Sequence, residues 1–191
     1  MNSKLPDLLR PDLMILFIGI NPGTRSAEVG HHFAGRSNRF WKFLFEAGLT
    51  PVKYDAFHDH ELLDLGYGIT NIASRTTVTA AELTPMELKE GALVLLGKIN
   101  QYKPRIAAYL GKVVYRYLSG RREFDWGQQD LSLVSGVVDF VLPNPSGLNR
   151  MPIPEQLELY RELKRVSELV QKKNEPKYLF RLIHYCFSFY C

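Results

Sequence analysis

The chain has 191 residues, 46% hydrophobic and 23% charged, which suits one globular domain with a full core, and its net charge of +4 permits a polyanionic partner without requiring one. The two cysteines, Cys186 and Cys191, stand at the C-terminal end, so the body of the chain can hold neither a disulfide framework nor a cysteine-ligated metal centre. The first residues lack the apolar segment of a signal peptide and no stretch is long enough to span a bilayer, so we expect an intracellular protein with no membrane contact.

Buried strands and helices alternate along the first half of the chain. The apolar run at residues 13–20 predicts a strand buried on both faces. "SNRFWKFLFEAGL" predicts a helix with Ser37 as its N-cap and Gly48 as its C-terminal stop. A second strand begins at residue 68 and runs into a polar loop. Thr84, Pro85 and Glu87 then predict a capped helix that ends before residue 104.

The second half continues the alternation. Residues 105–111 predict another buried strand, and a short helix follows that ends at Gly120. Residues 131–143 predict two strands joined as a hairpin at Ser135-Gly136, and the last helix spans about residues 155–173. We expect an α/β fold, a three-layer sandwich with a mostly parallel central sheet flanked by helices, as a single domain over residues 1–173. A tail, residues 174–191, follows, and we assign no role to its apolar segment 178–191.

Several standard site motifs are missing. The sequence has no dinucleotide-binding glycine pattern and no nucleophile elbow. "GALVLLGKI" is a poor phosphate loop, because five residues separate its glycines and neither Ser nor Thr follows Lys98. His31 and His32 are adjacent and cannot form the i, i+4 pair of a helical zinc site. We therefore expect neither a metal nor a cofactor.

Two Asn-Pro turns follow predicted strands. They are Asn21-Pro22-Gly23 and Asn144-Pro145-Ser146-Gly147. One such turn is ordinary scaffolding, but ligands of α/β sheets gather at the carboxyl ends of the strands. Two turns at strand ends therefore predict a shared cleft.

The segments "GINPG", "GHHFAG", "NRFWKFL", "GITNIASRTT" and "LPNPSGLNR" together resemble the mismatch-specific uracil/thymine DNA glycosylase family, within the uracil-DNA glycosylase superfamily, over about residues 13–170. The resemblance implies a uracil-DNA glycosylase-like fold and a monofunctional hydrolase of base-excision repair. Such an enzyme flips uracil that is mispaired with guanine, and in a wider range thymine or modified pyrimidines, out of duplex DNA and hydrolyses the N-glycosidic bond. The expected partner is therefore double-stranded DNA with G·U or G·T mispairs. "NPSGLNR" is closer to the bacterial enzymes, whereas "GHHF" and "TNIASRTT" are closer to the animal thymine glycosylases. The compact length favours a bacterial-type enzyme, so we expect the bacterial cytoplasm over the nucleus, and a monomer is the default expectation.

The resemblance also assigns residues. Asn21 takes the catalytic position, where an amide holds a water but cannot act as a base, so turnover is expected to be slow. No lysine occupies the motif positions, which disfavours a lyase step. Phe33 stacks on the flipped base within a base pocket formed by Ile20, Ser26, Phe33, Asn71 and Thr77. Leu148 is the wedge that fills the vacated space, in a DNA-binding loop formed by Asn144, Ser146, Gly147, Leu148, Asn149 and Arg150.

Within that loop, main-chain groups near Gly147 and Asn149 would pair with the widowed guanine, and Ser146 and Arg150 suit phosphate contacts. Asn71 stands where bacterial relatives often have lysine, so strict uracil specificity stays open against thymine or modified pyrimidines. Two other classes also stay open: an inactive nucleic-acid-binding protein on the same fold, and a flavodoxin-like mononucleotide protein. The sequence assigns no role to the two adjacent histidines.

Overall fold

A five-stranded sheet forms the centre of residues 5–173, the part of the chain that this computed structural model describes. Its strands are β1 (Ile15–Gly19), β2 (Tyr67–Asn71), β3 (Ile106–Leu110), β4 (Gly127–Gln128) and β5 (Val138–Leu142). The strand order is β2-β1-β3-β5-β4. All neighbours pair in parallel except β4 and β5, so the sheet is mostly parallel, as predicted.

Helices cover both faces of this sheet. They are α1 (Thr24–Val29), α2 (Phe40–Glu46), α3 (Pro85–Tyr102), α4 (Lys112–Ser119) and α5 (Ile153–Lys173), with short 3-10 helices at Ala56–Leu63 and Ala80–Glu82. Ile15 and Phe17 of β1 pack with α2 and α5, whereas Leu16 and Ile18 pack with α3 and α4. Side chains alternate across a strand, so two apolar cores lie on either side of one sheet. This confirms the three-layer sandwich.

The capped helix begins where the sequence predicts. The Thr84 hydroxyl accepts a hydrogen bond from Glu87 N at 3.2 Å, and a Glu87 oxygen accepts one from Thr84 N at 2.8 Å. These reciprocal bonds satisfy two N–H groups that the first helical turn leaves unpaired. The same helix contains "GALVLLGKI", so that segment forms no loop around a phosphate.

The predicted N-cap of α2 is wrong. The helix begins at Phe40 after Arg39, and Asn38 Oδ1 accepts from Phe40 N at 2.9 Å. Ser37 is instead packed against Gly147, where an added Cβ would lie 2.5 Å from the Ser37 Cβ. Arg39 N donates to the Pro145 carbonyl at 2.8 Å. Ser37 and Arg39 thus contact the second Asn-Pro turn, and the helix begins only after them, at Phe40. Gly48 ends it as predicted, with a left-handed φ of 73°.

The predicted hairpin at residues 131–143 is also wrong. Only Val138–Leu142 forms a strand, and its antiparallel partner is the earlier Gly127–Gln128. Residues 131–137 form a loop instead, since the buried Asp139 carboxylate accepts from Leu133 N at 2.7 Å and Val137 N donates to Val134 O. That loop occupies the hydrogen-bonding groups that a second strand would need.

The parallel strands bring four carboxyl ends to one edge of the sheet. β1 leads into Asn21-Pro22-Gly23, β2 into the loop at residues 72–79, β3 into Gly111, and β5 into the turn at Asn144. No helix within residues 5–173 is long and apolar enough to cross a membrane. The predicted tail, residues 174–191, lies outside the described residues.

Candidate active site

A cleft of about 500 Å³ opens at this edge of the sheet. Both Asn-Pro turns line it, together with the loop that connects β1 to α2. Among the residues predicted for the site, the cleft is lined by Ile20, Asn21, Ser26, Phe33, Asn71, Asn144, Ser146, Gly147 and Leu148. Thr77, Asn149 and Arg150 do not line the cleft. Thr77 is hydrogen-bonded to Asn21 and Asn149 to Asn144, both of which do line it.

The side-chain amide of Asn21 is held through its nitrogen. Nδ2 donates to the Arg75 backbone carbonyl at 2.9 Å and to Thr77 Oγ1 at 2.7 Å, with a longer contact of 3.2 Å to the Pro22 carbonyl. Because a carbonyl oxygen only accepts hydrogen bonds, the NH₂ group must face Arg75, and Oδ1 lies at the other end of the amide. Oδ1 is therefore the atom that Asn21 offers to a ligand or water in the cleft.

Phe33 provides a half-buried aromatic face. One side of its ring stacks on the fully buried Phe40, with centroids 4.0 Å apart and planes at 26°. Its φ of 54° is left-handed, which is uncommon for a residue other than glycine and costs backbone strain. The loop holds the ring in this position despite that cost. Since Phe33 also lines the cleft, its second side can stack on a planar ligand.

Gly19, the last residue of β1, gives Asn71 room beside that ring. A Cβ at Gly19 would collide with Asn71 Oδ1, and it would lie 3.9 Å from Phe33 Cε1. The Asn71 amide has no hydrogen-bond partner among residues 5–173. It therefore has both donor and acceptor capacity for a ligand stacked on Phe33.

The two adjacent histidines hold the loop that carries Phe33. The buried Asp59 accepts from His32 N at 2.8 Å, and its other oxygen lies 3.0 Å from His31 Nδ1. His32 Nε2 donates to the Pro6 carbonyl at 2.9 Å, and burial lowers the pKa of His32. Ser26 adds a further contact, because its Oγ accepts from Ala34 N at 3.0 Å. The histidines and Ser26 thus support the site through the loop backbone.

Leu148 stands at the tip of a tightly bonded loop. Asn144 Oδ1 accepts from Ser146 N at 2.9 Å, and Asn149 Nδ2 donates to the Asn144 carbonyl at 2.8 Å. Asn149 N donates to the Ser146 carbonyl at 3.0 Å, so this N–H is already engaged within the loop. The Leu148 side chain is 82% exposed. An apolar side chain is therefore displayed to solvent from a fixed backbone.

Cations lie beneath and beside this loop. Arg39 Nη2 donates to the Gly147 carbonyl at 3.3 Å, while its buried Nη1 has no hydrogen-bond partner within the described residues. Arg150 is exposed, as is Arg36, which is flanked by cleft residues. Neither exposed arginine has an ion-pair partner among residues 5–173. The surface around the cleft therefore suits a phosphate backbone.

Backbone donors complete the site. The N–H groups of Ile20 and Phe33 have no acceptor among the residues that the structure describes. Both residues line the cleft, so these N–H groups can bind an oxygen that carries negative charge. No group of three or more His, Cys, Asp or Glu side chains within residues 5–173 is arranged to hold a metal ion.

Sequence reasoning missed the residues that support the site from a distance. Arg75 supplies the carbonyl that holds Asn21, Arg39 supports the Leu148 loop, and Asp59 binds the backbone of the Phe33 loop. Arg39 and Gly147 are 108 positions apart, so no local pattern could have linked them. Arg75 and Arg39 stand within the quoted motifs, but nothing there indicates a bracing role.

Comparison with models of known protein families matches residues 6–165 to the family described as the Uracil DNA glycosylase superfamily. The match covers well over half of the chain and includes both Asn-Pro turns, the Phe33 loop and most of α5.

Proposed function

We propose that this chain, which belongs to the uracil DNA glycosylase superfamily, is a monofunctional DNA glycosylase that excises uracil mispaired with guanine from duplex DNA. The observation that carries the proposal is the orientation of Asn21. Its amide nitrogen is tied to Arg75 and Thr77, which leaves Oδ1 as the acceptor in a cleft at the strand ends. An acceptor fixed in this way suits the positioning of a water molecule.

The substrate nucleotide must leave the duplex to reach this cleft. Flipping costs a few kcal/mol, and less for a mispaired base, so the mispair itself supplies part of the selectivity. In our proposal the flipped base stacks on Phe33, and the unpaired amide of Asn71 hydrogen-bonds its edge. Leu148 enters the space that the base leaves, and main-chain groups at Gly147 contact the widowed guanine.

Hydrolysis then follows from the groups around the base. Asn21 Oδ1 accepts a hydrogen bond from a water molecule that attacks C1′. The water's oxygen bonds to C1′ as the N-glycosidic bond breaks, and the proton that this oxygen loses passes to solvent. The base departs as an N1 anion, whose carbonyl oxygens carry the negative charge. Donors placed where charge develops give large rate effects, and we assign this role to the N–H groups of Ile20 and Phe33.

The absence of a general base at position 21 makes the reaction slow. An amide does not accept the water's proton, and loss of a general base typically costs about 10²- to 10⁴-fold in rate. The rate then depends on how readily the base leaves. Uracil is the primary substrate in this proposal, with thymine and modified pyrimidines in G·T and related mispairs as a wider range that Asn71 permits. In this proposal the protein acts as a monomer.

A base-release assay tests this proposal. An end-labelled duplex with one central G·U pair is incubated with excess protein and then treated with alkali, which cleaves the strand at abasic sites. We expect cleavage at the uracil position after alkali treatment, no cleavage without it, and slower release from an A·U duplex of the same sequence. Binding of the G·U duplex without any release of uracil would contradict the proposal and favour an inactive nucleic-acid-binding protein.

A further inference from the structure

We propose that Arg75 is a positioning residue for Asn21: its ion pair with Glu87 fixes the backbone carbonyl of residue 75, and this carbonyl fixes the orientation of the Asn21 amide. The inference rests on the proposed function, because it takes Asn21 as the group that holds the water. In this inference Arg75 contacts neither the substrate nor the attacking water and acts only through Asn21.

The guanidinium of Arg75 is held at several points. Nε donates to Glu87 Oε1 at 2.5 Å, and Nη2 donates to Glu87 Oε2 at 3.1 Å and to the Glu82 carbonyl at 2.8 Å. A planar guanidinium that binds a carboxylate with two nitrogens has one defined orientation. The side chain therefore anchors residue 75 to the chain around the start of α3.

Glu87 is itself fixed to a rigid element. Its Oε2 accepts from the backbone N of Thr84 at 2.8 Å and from the Thr84 hydroxyl at 2.9 Å, as part of the capping box of α3. The helix packs on the sheet through the buried Leu88 and Leu95. The carboxylate that binds Arg75 is thus hydrogen-bonded to the start of α3.

The backbone on both sides of Arg75 is tied to the first Asn-Pro turn. Ala73 N donates to the Ile20 carbonyl at 2.9 Å, and Thr77 N donates to the Pro22 carbonyl at 3.3 Å. Between these two bonds the residue 75 carbonyl accepts from Asn21 Nδ2 at 2.9 Å. Residues 73–77 are therefore hydrogen-bonded along residues 20–22, and the Arg75 side chain links this loop to the start of α3.

The Arg75–Glu87 ion pair is expected to affect the rate of excision more than the free energy of unfolding. The Arg75 and Glu87 side chains are 43% and 31% exposed, and an exposed ion pair contributes little to folding. A misplacement of about 1 Å at a reacting group, by contrast, costs about 10²-fold in rate. Removal of the Arg75 side chain is therefore expected to affect catalysis much more than folding.

The test compares Arg75→Ala and Arg75→Lys with the control Arg165→Ala, which removes an exposed arginine paired with Glu158 at 2.9 Å. In single-turnover excision from G·U duplex, we expect Arg75→Ala to be slowed about 10- to 100-fold with unchanged Kd and Tm. Lysine restores only part of the rate, since it cannot bind the carboxylate with two nitrogens. Arg165→Ala keeps the original rate.

Two further measurements isolate the route through Asn21. If Arg75 acts only through Asn21, then Asn21→Ala and the double variant Asn21→Ala/Arg75→Ala excise at the same residual rate. Hydrogen exchange of the Asn21 side-chain amide, followed by NMR without DNA, is expected to be faster in Arg75→Ala than in the unaltered chain.

Three outcomes overturn the inference. One is an equal cost of Arg75→Ala in both backgrounds, and another is unchanged exchange of the Asn21 amide. The third is a shallower salt dependence of DNA binding by about one unit, which assigns Arg75 to a phosphate contact instead. Full activity of Asn21→Ala alone would refute the proposed function, while the NMR measurement would still decide whether Arg75 orients the amide.

Discussion

Leu148→Ala is expected to slow excision from duplex DNA and to leave the fold intact. The side chain is 82% exposed, so its truncation removes almost no packing from the protein itself. On the flipped complex it removes three carbon atoms from the space between bases. At about 0.8 kcal/mol per buried carbon the loss is about 2.4 kcal/mol, which corresponds to about 50-fold.

The assay is single-turnover release of uracil from a G·U duplex and from a single strand of the same sequence. A single strand leaves no stacked gap to fill, so we expect little change there. Leu131→Ala serves as a matched control, because Leu131 is 62% exposed and lies in the loop before β5. An equal loss on both substrates, or a clear fall in Tm, would refute the wedge role of Leu148.

Three other predictions concern charge and pH. Arg150→Ala is expected to make the slope of log K for DNA binding against log salt concentration shallower by about one unit. The control Arg122→Ala, which removes an exposed arginine in the loop after α4, should leave this slope unchanged. Equal slopes for the two variants would exclude a phosphate contact at Arg150. Burial lowers the pKa of His32, so the unfolded chain binds a proton more readily than the folded chain does. The stability that this residue contributes is therefore present above about pH 6.5 and lost as the pH falls. Urea unfolding from pH 7.5 to 5 should show this loss of unfolding free energy, and His32→Gln should make the loss smaller. The hydrogen bond from Arg75 lowers the pKa of Glu87 to about 2, so the small stabilising effect of this exposed carboxylate is present above its ordinary pKa and is lost as the pH falls toward 2. The difference in unfolding free energy between the unaltered chain and Glu87→Gln should therefore be small at neutral pH and vanish toward pH 2, and a constant difference would contradict the assignment.

Most of the fold could be predicted because its main elements carry strong local signals. The strands at residues 15–19 and 106–110 are uninterrupted apolar runs, and α3 has a complete capping box. The two-residue strand β4 has no periodic pattern, and its place in the sheet depends on its pairing with β5. The predicted hairpin is wrong because the buried Asp139 carboxylate binds Leu133 N and so fixes residues 131–137 as a loop. This contact, like the pairing of β4, is tertiary and leaves no local pattern.

The site divides in a similar way. Asn21, Phe33 and Leu148 lie in compact motifs at strand ends, and the parallel sheet brings these motifs to one cleft. Their supports depend on contacts between distant segments. Arg75 reaches the start of α3 to fix a carbonyl, and Arg39 reaches the Gly147 carbonyl from another loop. Such contacts follow from the packing of loops, which no local pattern records.

Single-turnover excision by Asn21→Ala measures whether hydrolysis in this cleft needs the Asn21 amide. The protein is held in excess over a G·U duplex, uracil release is followed over time, and the Kd for the same duplex is measured in parallel. Asn100→Ala, a substitution of an exposed asparagine on α3, is the control. We predict that Asn21→Ala slows release by about 10²-fold or more with an unchanged Kd, while the control keeps the original rate. Release by Asn21→Ala at the original rate would refute the catalytic role of Asn21, because the cleft would then catalyse hydrolysis without the amide that we assign to the water.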